Sequence, residues 1–318
     1  MTNLLLRRSG SAVLILVGVT IIVFLLVQLV PGDPARAVLG SGATEESVRQ
    51  LRDELGLNEP LAMQYLAYLG QLLAGDLGTS VNLGQPVTEI ILPRLGNTMI
   101  LAMAALLISV VAGVGVGVLA ARRPHGLFDR ISTFLAVAGA SLPVYWAALT
   151  AIAVFSLSLQ WFPTGGMYNA RNPGGPADLL IHLVLPASIS ALVPLAIIAR
   201  LTRSALLETL SQDYIRVLRA SGISEASILW RHALRNVLPP AVNIIGLQVG
   251  YLLGGVIFVE VVFQWPGLGQ QLYTSITAND LPVIQAGVLF IALVFVAVNL
   301  LTDVAVASLD PRGKAASS

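Results

Sequence analysis

Residues 203–240 read RSALLETLSQDYIRVLRASGISEASILWRHALRNVLPP. Arg203, Arg216, Arg219, Arg231 and Arg235 fall inside this stretch, and Arg200 stands just before it. The rest of the chain is greasy. Of 318 residues, 56% are hydrophobic and 11% are charged, and the mean hydropathy is +0.81. A soluble domain carries about a quarter of its residues charged, so this is an integral membrane protein, and the basic stretch is a part that must live in water. Its periodicity predicts a helix over Ser204–Gly222, with Leu206, Leu210, Tyr214, Val217 and Leu218 on one apolar face. Gly222 suits the left-handed position that stops a helix. Ser224 suits the N-cap of a short second helix, with Glu225 in its first turn. Two readings of this helix, glycine turn and short helix stand on physics alone. It can dock into a cleft of another protein, or it can lie as an amphipathic pair on anionic lipid.

Working outward, six apolar runs are long enough to cross a bilayer at roughly 20 residues each. They lie near Ser9–Val30, Asn97–Ala121, Ile131–Phe155, Leu179–Ala199, Val237–Val261 and Pro282–Val306. Arg7 and Arg8 precede the first, which reads as a retained anchor and not as a cleaved signal. If the N-terminus is cytoplasmic, the outer segments hold Arg36, Arg49, Arg52, Arg94 and Arg171, and the other thirteen of the eighteen cations are inside. That bias predicts both termini in the cytoplasm. The expected organisation is an anchor span (1–30), an extracytoplasmic helical segment (31–95), a five-span core (96–308) containing a cytoplasmic loop at about 203–238, and a tail (309–318). In the outer segment, TEESVRQLRDELG (44–56) reads as an amphipathic helix capped by Thr44 and ended by Gly56. EPLAMQYLAYLGQLLAG (59–75) reads as a second, with Pro60 in its first turn. Both are expected against the outer membrane face. Pro143, Pro186 and Pro194 are expected to kink or unwind their spans, and Gly113, Gly115 and Gly117 to allow close helix approach.

Several classes of chemistry are excluded. There is no cysteine, and the sole lysine is Lys314, so no GxxxxGK[ST] phosphate loop exists. The chain binds no ATP through such a loop, and its energy comes from a partner or an ion gradient. His125, His182 and His232 are too far apart in sequence for an HExxH site. Ser141, Pro143, Tyr145 and Trp146 in the third span are candidate pathway or gate residues. So is Glu260 near the outer end of the fifth, since intramembrane acids are functional candidates by default. Glu260 has a second reading, as an acceptor for backbone in the turn-rich segment that follows. Asp303 is expected to pair with an arginine.

YIRVLRASGISEASILWRHALRNVLP resembles the cytoplasmic coupling loop of ATP-binding-cassette importer permeases. Arg219-Ala220-Ser221 stand in the place of its alanine-rich triplet, Gly222 is its glycine and Leu238-Pro239 its closing pair. The acidic residue of the general motif is absent. LVPGDPA (29–35), GDLGTS (75–80), FDRISTFLAVAGASLPVYWAAL (128–149), FVEVVFQWPGLGQQLYTSI (258–276) and NLLTDVAVASLDPRGK (299–314) resemble the dipeptide, oligopeptide and nickel branch, which often has a tyrosine where Val306 stands. The resemblance implies an all-α membrane protein with the six-helix architecture of a type I importer permease, in a bacterial or archaeal cell membrane. It implies a second, related permease, two ATPase subunits holding ATP and Mg, and an extracytoplasmic solute-binding protein, with membrane lipid around them and no nucleic acid. Coupling to the ATPase would fall to Arg219, Ala220, Ser221, Gly222, Ser224, Glu225 and Arg231. The expected cargo is di- or oligopeptide, with nickel chelates or glutathione-like molecules as alternatives. An ion-coupled secondary transporter is the alternative of another class. It should show internal repeats and several mid-membrane charges, and neither is evident.

Overall fold

The structure is a computed structural model that describes residues 2–29, 34–39, 42–54 and 56–309. The described residues form helices, turns and one isolated antiparallel bridge, Thr79 with Pro86. In chain order the helices are α1 (Thr2–Leu29), α2 (Pro34–Leu39), α3 (Glu45–Glu54), α4 (Leu61–Leu73), α5 (Val87–Arg122), α6 (Leu127–Ser141) and α7 (Val144–Ala151). They continue as α8 (Pro176–Leu210), α9 (Asp213–Ala220), α10 (Glu225–Ser227), α11 (Leu234–Val262), α12 (Leu268–Thr277) and α13 (Leu281–Leu309). Wider π-helical turns extend α7 over Ile152–Ser158 and lead into α11 over Ile228–Ala233.

Three helices are long and apolar enough to cross a membrane: α5, α8 and Leu281–Thr302 of α13. Two more candidates are bent, 127–158 by 106° and 244–262 by 42°, and α1 carries a shorter apolar run, Gly10–Leu26. At 1.5 Å per residue, α5 and α8 are each roughly 50 Å long against a hydrocarbon core of about 30 Å. Both are therefore longer than the hydrocarbon core, and α5 begins inside the segment expected to be extracytoplasmic.

The chain divides into two units, 1–96 with 271–296 and 97–270 with 297–318. In the first, Thr44 Oγ1 accepts from the Ser47 N–H at 3.2 Å, capping α3. Gly56 at φ +65° ends it, with the Leu57 N–H reaching Arg52 O at 2.9 Å. Pro60 sits one place earlier than expected, at the N-cap of α4. α4 packs back on α1 through Tyr65, which meets Phe24 edge-on at 5.5 Å and hydrogen-bonds Thr20 Oγ1 at 2.8 Å. The loop before α5 is pinned by buried Asp280, which accepts from Ser80 Oγ and from the Val81 N–H at 3.3 Å.

The second unit is a bundle of α5, α6, α7, α8 and α11. Its main core joins Leu101 and Ala105 of α5, Ala148 of α7, Leu185 and Ala187 of α8, and Leu252 and Val256 of α11. Two glycines bring α5 onto α8: a Cβ on Gly113 would lie 3.0 Å from Ile198 Cβ, and one on Gly117 would lie 2.6 Å from Ala199 O. Gly115 faces open space. The prolines behave differently from one another. Pro143 breaks its span outright, with Leu142 and Pro143 in extended backbone (ψ 131° and 128°) between α6 and α7. Pro186 and Pro194 neither end nor unwind α8, which runs through both. Both are buried, and a proline inside a membrane helix is tolerated where neighbouring helices enclose it.

Candidate functional site

The basic stretch does not form one helix from Ser204. α8 carries it to Leu210 and stops, with the Ser211 N–H bonded back to Leu207 O at 3.2 Å and Ser211 Oγ donating to Glu208 O at 2.7 Å. Gln212 is extended (ψ 151°), and α9 starts at Asp213. This break resets the helical phase. Ile215, absent from the expected face, is fully buried, whereas Val217 is 63% exposed. Leu206 stays in the core with Val118, Leu229, Ala233 and Val237.

Past α9 the local chemistry follows the sequence closely. Gly222 has φ +80°. Its N–H bonds Arg219 O at 3.0 Å and the Ile223 N–H bonds Leu218 O at 3.2 Å. That pair of bonds is the Schellman ending, which satisfies two orphan carbonyls of α9. Ser224 then caps α10, its Oγ accepting from the Ser227 N–H at 3.4 Å. Arg219 and Glu225 are both among the residues that the resemblance assigns to coupling. They clasp each other across the glycine turn, Nε to Oε1 at 2.6 Å and the terminal nitrogen to Oε2 at 3.2 Å. Glu225 ionises below the usual carboxylate range because Arg219 donates to it. The clue was in the sequence, opposite charges flanking a glycine turn. Asn236 Nδ2 donates to Tyr214 Oη at 2.8 Å and ties α9 to α11. The outward side of the segment carries Ala220, Ser221, Arg231 and two exposed apolar groups, Val217 at 63% and Trp230 at 59%.

A second ion pair, not expected from the sequence, ties α6 to α8 at the end of the bundle from which the segment leaves. Buried Asp129, in the first turn of α6, receives Arg203 of α8 through Nε and, at 2.7 Å, through a terminal nitrogen. The His125 N–H adds a third bond to Asp129 at 2.8 Å, from a residue at φ +63°.

The pathway candidates separate into two places. Ser141, Pro143, Tyr145 and Trp146 gather at the break in the third span, with Tyr145 43% and Trp146 55% exposed. Ser141 Oγ donates to Val137 O at 2.8 Å, and Tyr145 meets Phe258 of α11 edge-on at 6.3 Å. Glu260 does not join them. It is fully buried, and its carboxylate accepts from Thr98 Oγ1 at 2.6 Å, the Gly269 N–H at 2.7 Å and the Gln270 N–H at 3.2 Å. Of its two readings, the structure gives the turn acceptor. Trp265 Nε1 reinforces the same turn by donating to Asn97 O at 2.9 Å. The helix α12 that follows was not foreseen. The side chain of Asp303 and the residues beyond Leu309 lie outside the described residues.

A membrane bundle with a capped, clasped helical pair between two of its spans defines a class. The fold is similar to a chain of the inward-facing MetNI methionine ABC transporter, with a TM-score of 0.55 at 18% identity, covering 70% of this chain and 97% of that one. Residues 113–314 match the family model of the binding-protein-dependent transport system inner membrane component, and residues 1–102 match the model of its N-terminal region. The chain belongs to this family. It is 39% identical to the dipeptide transport system permease protein DppB of Alkalihalophilus pseudofirmus, covering 97% of this chain and 98% of that one. It is 42% identical to a putative peptide transport system permease protein of Brucella abortus (98% and 99%). Identity is 38% to the oligopeptide transport system permease protein AppB of Bacillus subtilis (98% and 99%).

Proposed function

We propose that this chain is the permease subunit of an ATP-driven importer and forms half of a pathway for di- or oligopeptides. The observation that carries this reading is similarity along almost the whole chain to relatives named as peptide permeases. A second, related permease forms the other half, and an extracytoplasmic binding protein delivers the cargo. Two ATPase subunits hold ATP and Mg and grip one coupling segment from each permease. This chain does no chemistry of its own. It crosses the membrane six times with both ends in the cytoplasm.

The chain's residues supply rigidity in this scheme. The Schellman turn at Gly222, the Ser224 cap and the Arg219–Glu225 clasp hold 213–227 in one shape. Val217, Trp230 and Arg231 face outward for the ATPase cleft. The segment enters from α8 and leaves into α11, so a push on it reaches two spans directly. The Asp129–Arg203 pair and the close approach at Gly113 and Gly117 recruit α6 and α5 to the same movement. The broken third span, with Tyr145 and Trp146 exposed, is where the pathway surface changes.

The test is reconstitution. The chain alone is expected to show no ATPase activity above background. With both ATPases, the second permease and the binding protein in proteoliposomes, hydrolysis should rise on adding di- or oligopeptides. Robust hydrolysis by the chain alone would refute the permease reading. Stimulation by nickel chelates or glutathione but by no peptide would overturn the cargo.

A further inference from the structure

Beside the coupling segment lies a cavity of about 680 Å³ that the scheme above leaves unused. That volume is within the roughly 300–1,000 Å³ of ordinary ligand sites. Arg122 and Arg123, at the end of α5, line it together with the clasped pair Arg219 and Glu225. The clasp is neutral as a pair, whereas neither Arg122 nor Arg123 has an acidic partner among the described residues. Two arginines without an acidic partner therefore line the cavity, and guanidinium groups suit phosphate oxygens through paired N–H donors.

The remaining wall is apolar and opens onto more apolar surface. Leu119 and Phe128 line the cavity and are each 49% exposed. From Phe128 the outward side of α6 continues through Ile131 at 49%, Phe134 at 70% and Leu135 at 60% exposure. In a chain that crosses a bilayer such a strip meets hydrocarbon. Arg122 and Arg123 precede that strip in the sequence, as cations that flank a span at its headgroup end do. A docking segment of a soluble protein would match the charge but would have no use for the hydrocarbon strip.

We propose that this cavity binds the headgroup of a net-anionic phospholipid, with its phosphate on Arg122 and Arg123 and its acyl chains along Leu119 and Phe128. The bound headgroup rests against the Arg219–Glu225 clasp, so lipid composition reaches the coupling segment directly. The proposal rests on the chain crossing a membrane and not on its cargo, so binding tests it without transport.

The experiment uses the full chain, delipidated in detergent and titrated by native mass spectrometry with phosphatidylglycerol, phosphatidylcholine and inorganic phosphate. Phosphatidylglycerol should be retained over phosphatidylcholine. The double variant R122Q/R123Q should bind phosphatidylglycerol about 25-fold more weakly, from roughly fivefold per arginine. R235Q, which removes an exposed charge outside the cavity, should bind like the parent. If the double variant is not recovered folded, R122Q and R123Q singly carry the test at about fivefold each. Equal retention of the two lipids, or unchanged affinity in the variants, overturns the proposal. So does displacement of the lipid by inorganic phosphate with the same arginine dependence, which would make this a free-anion site. Variants that keep the lipid but lose co-purifying ATPase subunits would assign the cavity to a protein partner and equally overturn it.

Discussion

Gly222 isolates a backbone effect, because a Cβ placed there meets no atom within 4 Å. Any cost of substitution comes from its φ of +80° and not from crowding. Valine should strain the turn by about 1–2 kcal/mol, whereas asparagine visits the left-handed region readily. Gly222→Val is thus expected to insert in the membrane but to lose assembly with the ATPase or cargo-stimulated hydrolysis, and Gly222→Asn to retain both. Co-purification with the ATPase subunits reads this out, and a fully active valine variant would return the segment to a lipid-surface role. The clasp beside it gives a pH expectation. Glu225 is held below the usual carboxylate range by Arg219. A depressed acid adds stability above its unfolded value, near 4.3, and loses it only as pH falls through the lower folded value. The coupling between Arg219 and Glu225 in a double-mutant cycle should therefore be flat from pH 8 to about 5, and a coupling that already declines between pH 7 and 6 would contradict the clasp. Swapping the charges, Arg219→Glu with Glu225→Arg, should restore what either single change removes.

Among elements, the contact of α5 with α8 turns on Gly113 and Gly117, and is tightest at Gly117. Gly117→Ala would drive a methyl against the Ala199 carbonyl, and overpacking of that kind costs typically about 1–3 kcal/mol. Gly115→Ala meets nothing and should be neutral or slightly stabilising. Thermal unfolding in detergent separates them, and equal melting temperatures would mean that the helices do not approach this closely. The turn between α11 and α12 depends on Glu260. Alanine there strands the buried Gly269 N–H and the Thr98 hydroxyl, which both donate to this carboxylate, at about 1–3 kcal/mol each, so Glu260→Ala should melt well below Glu260→Gln, which keeps an acceptor. A full-stability Glu260→Ala that nonetheless lost transport would revive the pathway role. Helix ends proved legible wherever one residue type dictates backbone shape, as at Thr44, Gly56, Gly222 and Ser224. The break at Ser211–Gln212 was not, because neither residue forbids a helix, and the apolar face was consequently drawn through Val217 and missed Ile215. Pro143 against Pro186 and Pro194 makes the same point. The residue type is shared, and the enclosing neighbours decide whether the helix continues.

At the scale of the whole molecule, the orientation proposed from arginine placement is open to direct test, since the chain has no cysteine. A cysteine at exposed Ala170 should react with an impermeant thiol reagent added outside intact cells, and one at exposed Gln212 should not; the opposite pattern would invert the topology. By itself the sequence determined the membrane class, the absence of a phosphate loop, the position of the water-exposed insert and the glycine about which it turns. These depend on composition and on local backbone preference, which act within a few residues. Only tertiary structure decided which charges meet: Arg203 with Asp129 across 74 positions, Arg219 with Glu225, and Glu260 with Thr98 and the glycine turn. It also brought Arg122, at the end of α5, to the same cavity as that clasp. Such pairings depend on where helices cross, and crossing is set by the summed fit of many side chains that no local run of residues specifies.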